Sequence, residues 1–271
     1  MTASRRAFLL SAAALAVPAR ATEPPPLLRP DIEVFADRVV AKHQLDRDWV
    51  TSVLLDARPQ PSAAQSLATP GTSRPWHVFR RGHVDRVRID AGVRFWNEHE
   101  ATLVRVRETY GVPEDIVVAI IGIETVFGRV TGTYRVLDAL ATLGFGTSSR
   151  IAFFQSELEE FLLLARDGAF DPLVVRGSYA GAMGWPQFMP SSWRRHAQDF
   201  DGDGRIDLWG SVPDIVASVG NYFRASGWRP GADAVLRATV ADAERAAPLI
   251  AAGVRPAFTA APIEAAGVTV E

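Results

Sequence analysis

Apolar residues recur at helical spacing along most of the chain and period-two alternation is scarce, so the pattern predicts a mainly α protein. Helices are predicted over Ile32–Lys42, with Asp31 as N-cap, over Leu45–Leu55, and over Val87–Tyr110 as one or two pieces stopped by Gly111. The same spacing returns at Ile116–Phe127, Ile151–Arg166, Ser191–Phe200 and Asp214–Ser226. Between these, Arg58–Pro75 carries Pro59, Pro61, Pro70 and Pro75 and reads as a long irregular connection. After Trp228 the periodicity weakens. Val235–Val240 reads as a strand, and Ala241–Glu271 as an Ala/Pro-rich region with one short helical patch. No internal repeat is present.

One predicted helix is unusual. Val112-Pro113-Glu114-Asp115 is a strong start, with proline suited to the first helical position and two acids complementing the helix dipole. Ile116–Ile123 is then apolar on every side, as expected of a helix buried all round. Glu124 emerges from its end. Burial disfavours the charged carboxylate and raises its pKa, and an acid still protonated near neutral pH can protonate a leaving-group oxygen. The competing reading is a buried glutamate paired with Arg129 or Arg135, both near in sequence. Other acids are poorly placed to assist. Glu114 and Asp115 lie roughly 14 Å away at the α-helical rise, and Glu157, Glu159 and Glu160 read as the exposed face of their own helix.

Two further segments carry chemistry. Ser178–Trp193 (SYAGAMGWPQFMPSSW) mixes glycines with aromatic faces and with Ser178 and Gln187, which can hydrogen-bond hydroxyl and acetamido groups; it suits a sugar-binding wall, or a tight loop with Ser191 or Ser192 capping the next helix. Asp199-Phe200-Asp201-Gly202-Asp203-Gly204-Arg205-Ile206-Asp207 sets oxygens at positions 1, 3, 5 and 9 of an EF-hand-like loop, with glycine at 6 and Arg205 offering its backbone carbonyl. Position 12 is Gly210 rather than glutamate, so a longer loop closed by Asp214 is expected. Calcium is the expected ion, because the ligands are oxygens and a long loop suits its flexible geometry.

The N-terminus reads as an address. Arg5-Arg6 precede the apolar runs Ala7–Leu10 and Ala12–Val17, followed by Ala19-Arg20-Ala21, which together predict a cleaved signal peptide over residues 1–21, with the paired arginines also resembling a twin-arginine signal. No cysteine follows it, so a lipoprotein anchor is not expected, and no other stretch is apolar enough to span a membrane. The absence of cysteine from all 271 residues also excludes a disulfide framework, a thiol nucleophile and Cys-ligated zinc. A net charge of −2 gives no electrostatic reason for a nucleic-acid partner.

Taken together, FWNEHEATL (Phe95–Leu103), Tyr110–Phe145, SELEEFLLLARD (Ser156–Asp167), Asp171–Trp193 and Asp199–Trp228 resemble the membrane-bound lytic murein transglycosylase B family. The resemblance implies a lysozyme-like, mainly α core with an EF-hand-like calcium loop. It also implies an enzyme that cleaves the bond between N-acetylmuramic acid and N-acetylglucosamine in peptidoglycan to leave 1,6-anhydro ends. On this basis Glu124 is the single acid/base, and Ser178, Gln187, Tyr179, Met183 and Arg150 are substrate-binding, Arg150 near the peptide stems. Asp199, Asp201, Asp203, Arg205 and Asp214 hold calcium. Glycan strands, and proteins of cell-wall synthesis or division, are the implied partners, and the periplasm the implied location. The expected organisation is a signal peptide (1–21), a tether and helical region (22–110), a catalytic core (111–228, with the loop at 199–214) and a C-terminal region (229–271). Three departures stand out. The family's adjacent arginine pair is Ser149-Arg150 here, Asp201 takes a position that also accepts serine, and a Tyr-Asn-type segment lies beyond the point where this chain stops, which implies either a truncated chain or a member that binds substrate with fewer groups. A hydrolytic muramidase using the same site, and a non-catalytic peptidoglycan-binding protein, are the alternatives.

Overall fold

The computed structural model describes residues 28–69, 75–147, 149–232, 235–253 and 258–270. The signal-peptide expectation for residues 1–21 lies outside them. The chain divides into two compact units, Met1–Ala57 and Arg58–Glu271.

In the first unit, α1 (Pro30–His43) packs on α2 (Arg47–Leu55). Helix α1 begins two residues earlier than expected. Its N-cap is Arg29, and Asp31 sits in the first turn, ion-paired with Arg29 at 2.6 Å. Asp46 caps α2 by accepting the Trp49 N–H at 2.7 Å.

The second unit is built on helices. The predicted irregular stretch contains a helix, α3 (Pro61–Ala68), because Pro61 occupies a first-turn position, where its missing N–H costs nothing. Next come α4 (Trp76–His83), which the periodicity did not single out, and α5 (Arg86–Tyr110), one helix kinked at His99. Helix α6 (Glu114–Thr125) follows, then β1 (Tyr134–Arg135), α7 (Val136–Gly144), α8 (Ile151–Arg166) and β2 (Arg176–Gly177). The body is completed by α9 (Pro190–His196) and α10 (Val212–Ala225). Beyond it lie β3 (Ala238–Val240), α11 (Ala243–Ala251), α12 (Ala260–Ala265) and β4 (Val268–Val270). Strand β1 pairs antiparallel with β2, Tyr134 opposite Gly177; β3 pairs antiparallel with β4, Thr239 opposite Thr269. No described helix is long and apolar enough to cross a membrane.

Two layers of packing make the core. Helices α5, α6 and α10 pack together, and α8 packs between α7 and α9. Phe154, Leu158, Phe161 and Leu162 of α8 are fully buried, as its apolar spacing requires. Two expectations about burial are corrected here. Helix α6 is not buried all round: Val117, Val118 and Ile121 are buried, but Ile123 is 43 % exposed, and Val118, Ala119 and Ile123 line an open apolar cavity of about 620 Å³ with α5 and His83. Its first helical residue is Glu114, with Pro113 as N-cap, and Glu114 pairs with Arg107 at 2.8 Å. Glu157 and Glu159 are buried, not exposed. Glu157 accepts the Ser191 N–H at 2.9 Å and the Ser191 Oγ–H at 2.7 Å, so it satisfies the N-terminus of α9 from a neighbouring helix. Met189, the N-cap of α9, makes no side-chain cap, and neither serine caps the helix.

Candidate functional site

The site forms where α6 ends. Its C-cap, Val126, and the next residue, Phe127, both take left-handed backbone angles (φ 52° and 57°), and Gly128 continues at 77°. Two non-glycine residues in this region carry strain that the surroundings must hold. They do so by packing and by one hydroxyl. The buried Thr125 Oγ donates to the Trp185 carbonyl at 3.0 Å and accepts the Gly128 N–H at 3.1 Å. A Cβ on Gly128 would fall 2.1 Å from the Trp185 ring, so glycine is required there for close approach, and one on Gly122 would press at 3.0 Å on the Phe127 ring. Phe127 also packs on Phe95, with ring centroids 5.0 Å apart.

This knot presents Glu124 to a cavity of about 250 Å³ whose other walls are Ile120, Pro186–Met189, Ser192, Val219, Tyr222 and Phe223. Glu124 is the sole carboxylate among the lining residues. Neither Arg129 nor Arg135 pairs with it; Arg135 pairs instead with Asp138 at 2.5 Å. The carboxyl is open to the cleft yet flanked by protein. Desolvation therefore pushes its pKa above the ordinary carboxylate value, and the positive charge of His83 opposes this to a smaller extent. His83, Ser192, Tyr222 and Phe223 were not anticipated from sequence. Tyr222 is 40 % exposed near the end of α10, beyond the buried stretch Asp214–Gly220.

Of the expected substrate residues, Gln187 shares the cavity with Glu124. Its backbone is left-handed (φ 50°), and its side-chain Nε2 donates to the carbonyls of Thr131 (3.1 Å) and Gly184 (2.9 Å), which leaves Oε1 as an acceptor for ligand. Ser178 lies outside the cavity lining, at the end of β2. Its Oγ accepts N–H groups from Ala180 (3.2 Å) and Ala182 (3.1 Å), so its own proton remains available to donate. Tyr179 is half-buried beside it. Arg150 is exposed at the N-cap of α8, over the Phe153 ring. Met183 is corrected: it has no exposed surface and bridges Gly177 and Phe188, so it packs the core beneath the wall and cannot touch a ligand.

The acidic loop is assembled in part as expected. One carboxylate oxygen from each of Asp199, Asp201 and Asp203 lies within 4.8 Å of the others, a hard-oxygen set suited to a divalent cation. Asp214, buried in the first turn of α10, stands apart from this trio. Its two oxygens accept the N–H groups of Phe200 (2.7 Å) and Asp207 (2.9 Å), tying the loop to the helix. Arg205 donates its N–H to Asp203 at 2.8 Å. Asp207 turns back on Trp209 and Gly210 at 2.8 and 2.9 Å.

A helical body with one desolvated carboxylic acid in a cleft, walled by a glycine-rich turn, defines a lysozyme-like lytic transglycosylase fold. The chain belongs to the Transglycosylase SLT domain family, which it matches over residues 28–270. It is 45% identical over 212 residues to the membrane-bound lytic murein transglycosylase B of Escherichia coli (strain K12), covering 74% of this chain and 58% of that protein. The chain thus spans less than two thirds of that relative's length. Among solved structures it is similar to the soluble lytic transglycosylase SltB1 from Pseudomonas aeruginosa (TM-score 0.81, 42% identity, 89% of this chain and 81% of that one). It is also similar to the Escherichia coli lytic transglycosylase Slt35 in complex with calcium (TM-score 0.77, 40% identity, 89% and 76%).

Proposed function

We propose that this protein is a peptidoglycan lytic transglycosylase that cleaves the bond between N-acetylmuramic acid and N-acetylglucosamine without water. The observation that carries the reading is the solitary carboxyl group of Glu124. Ordinary glycosidases need two flanking carboxylates, and no second acid lines this cavity. One acid suffices if the substrate supplies the nucleophile. Glu124, whose protonated form desolvation favours, gives its proton to the glycosidic oxygen, and the muramyl N-acetyl group stabilises the cationic centre. Glu124 then takes the proton of the muramyl C6 hydroxyl, whose oxygen closes on C1 to give a 1,6-anhydro sugar. The Ser178 hydroxyl as donor and the Gln187 carbonyl oxygen as acceptor complement the C=O and N–H of an acetamido group. Arg150 contributes at the peptide stems.

The Asp199, Asp201 and Asp203 carboxylates, with the Arg205 carbonyl and Asp214, would hold a calcium ion that cross-links the loop to α10. The relative solved with calcium supports this ion. Its contribution is to the fold rather than to proton transfer. Residues 1–21 act as an export signal, without a lipid anchor, for work in the periplasm, where proteins of cell-wall synthesis or division are the natural partners.

Digestion of purified sacculi followed by mass spectrometry tests the chemistry. Products one water lighter than the hydrolytic muropeptides are expected. Products of full hydrolytic mass would reassign the protein as a muramidase, and binding without release would make it a non-catalytic binder.

A further inference from the structure

A second polar cavity, of about 460 Å³, is lined by Arg58, Gln60, Thr133, Tyr134, Arg135, Asp138, Leu173 and Arg176. Three guanidinium groups face one carboxylate. Asp138 is committed inward: it accepts the Arg58 backbone N–H at 2.8 Å and pairs with Arg135 at 2.5 Å, and both side chains of that pair are largely covered (14% and 5% exposed). The pair therefore cancels within the wall of the cavity. Arg58 and Arg176 remain as exposed, uncompensated charges among the described residues. Arg176 is also held in place. Its Nη1 donates to the Thr133 carbonyl at 2.6 Å, which anchors the planar group and leaves the Nε–Nη2 edge open. That edge has the two-pronged geometry that binds carboxylate. The cavity is much larger than an inorganic anion needs, and Thr133, Tyr134 and Gln60 add hydroxyl and amide groups suited to a peptide backbone.

We propose that this cavity is a binding site for a carboxylate-bearing peptide, namely a stem peptide of the glycan strand, with Arg58 and Arg176 clamping the carboxylate. This rests on the reading of the protein as acting on peptidoglycan. The site is tied to the sugar wall through the backbone. Arg176 lies on β2, which leads directly into Ser178, and the neighbouring Thr131 carbonyl holds Gln187. Engagement of a stem there would hold its strand against the wall and favour peptide-bearing over bare glycan.

The test is fluorescence anisotropy with a dye-labelled stem pentapeptide, its C-terminal amide, and inorganic phosphate as competitor. The wild-type chain is expected to bind the pentapeptide, and the Arg58→Gln/Arg176→Gln variant to bind it about tenfold or more weakly, the loss of charge-assisted hydrogen bonds. Amidation should weaken binding in the wild type and make little difference in the variant. Equal binding by both proteins, no binding by the wild type, or displacement by phosphate at the peptide's own concentration would overturn the proposal. A melting curve establishes that the variant is folded; both arginines are exposed. The ratio of cleavage on peptide-bearing to peptide-stripped strands should fall about tenfold in the variant. Cleavage of stripped strands without peptide binding would defeat this inference alone. Peptide binding without cleavage of either substrate would defeat the enzymatic reading and leave the site standing.

Discussion

The Thr125 hydroxyl donates to the Trp185 carbonyl at 3.0 Å and joins the end of α6 to the glycine-rich turn, so that the helix bearing Glu124 and the wall bearing Gln187 hold a fixed spacing. The same oxygen receives the Gly128 N–H, so one side chain satisfies a buried acceptor and a donor in a strained turn. Thr125→Val keeps the shape and removes both bonds. A loss of about 1–3 kcal/mol is expected from leaving these groups unpaired, measured by urea denaturation. Retention of wild-type stability would show that the bonds contribute nothing.

In the proposed mechanism Glu124 governs the pH dependence of cleavage, and its raised pKa contributes to that of stability. Its pKa is raised by desolvation, so cleavage, which needs the protonated acid, should fall as pH rises through that raised value. Removing the opposing charge with His83→Gln raises the pKa further and should move the alkaline limb of the pH–rate profile upward; a downward shift would contradict the assigned cause. The stability of a group with a raised folded pKa is fully present below the ordinary value of 4.5 and lost as pH rises through the folded value. Glu124→Gln lacks this loss. It should therefore gain stability relative to the wild type between acid and neutral pH, while cleaving no glycan.

Glu157 ties α8 to α9 through Ser191. Glu157→Ala leaves the Ser191 N–H without its acceptor and should cost about 1–3 kcal/mol. Glu157→Gln, which keeps one acceptor oxygen, should cost less. Thermal melting of the two variants checks this order.

Chelation should lower the melting temperature. At a calcium concentration a hundredfold above its dissociation constant, binding stabilises the folded state by about 2.7 kcal/mol. Asp203→Asn should reduce the calcium-dependent increment in Tm, and an identical Tm with calcium and with chelator would remove the ion from the site.

Much of the architecture was legible locally. The Ile151–Arg166 boundaries follow from spacing alone, and α2 and α10 begin within about two residues of where the pattern places them, a normal margin for helix ends. Helix α7 (Val136–Gly144) was not singled out, and two other missed helices have identifiable reasons. Pro61 was read as a breaker when it sits at a helix start, and α4 buries none of its residues, so it lacks a core-facing stripe. In the loop, the clustering of Asp199, Asp201 and Asp203 follows from alternate positions in a tight turn.

The sequence by itself determined the helical class, the placement of Glu124 at the end of an apolar helix, the glycine-rich turn and the acidic loop, because each depends on residues close together along the chain. Tertiary structure decided which faces are covered. It opened one side of α6 to a cavity, buried Glu157 against Ser191 and Met183 under the wall, and left Glu124 without an ion-pair partner among the described residues while Arg135 turned to Asp138. Periodicity records that a face is apolar or charged; what lies against it is set by contacts between segments distant in sequence, and no local spacing encodes those.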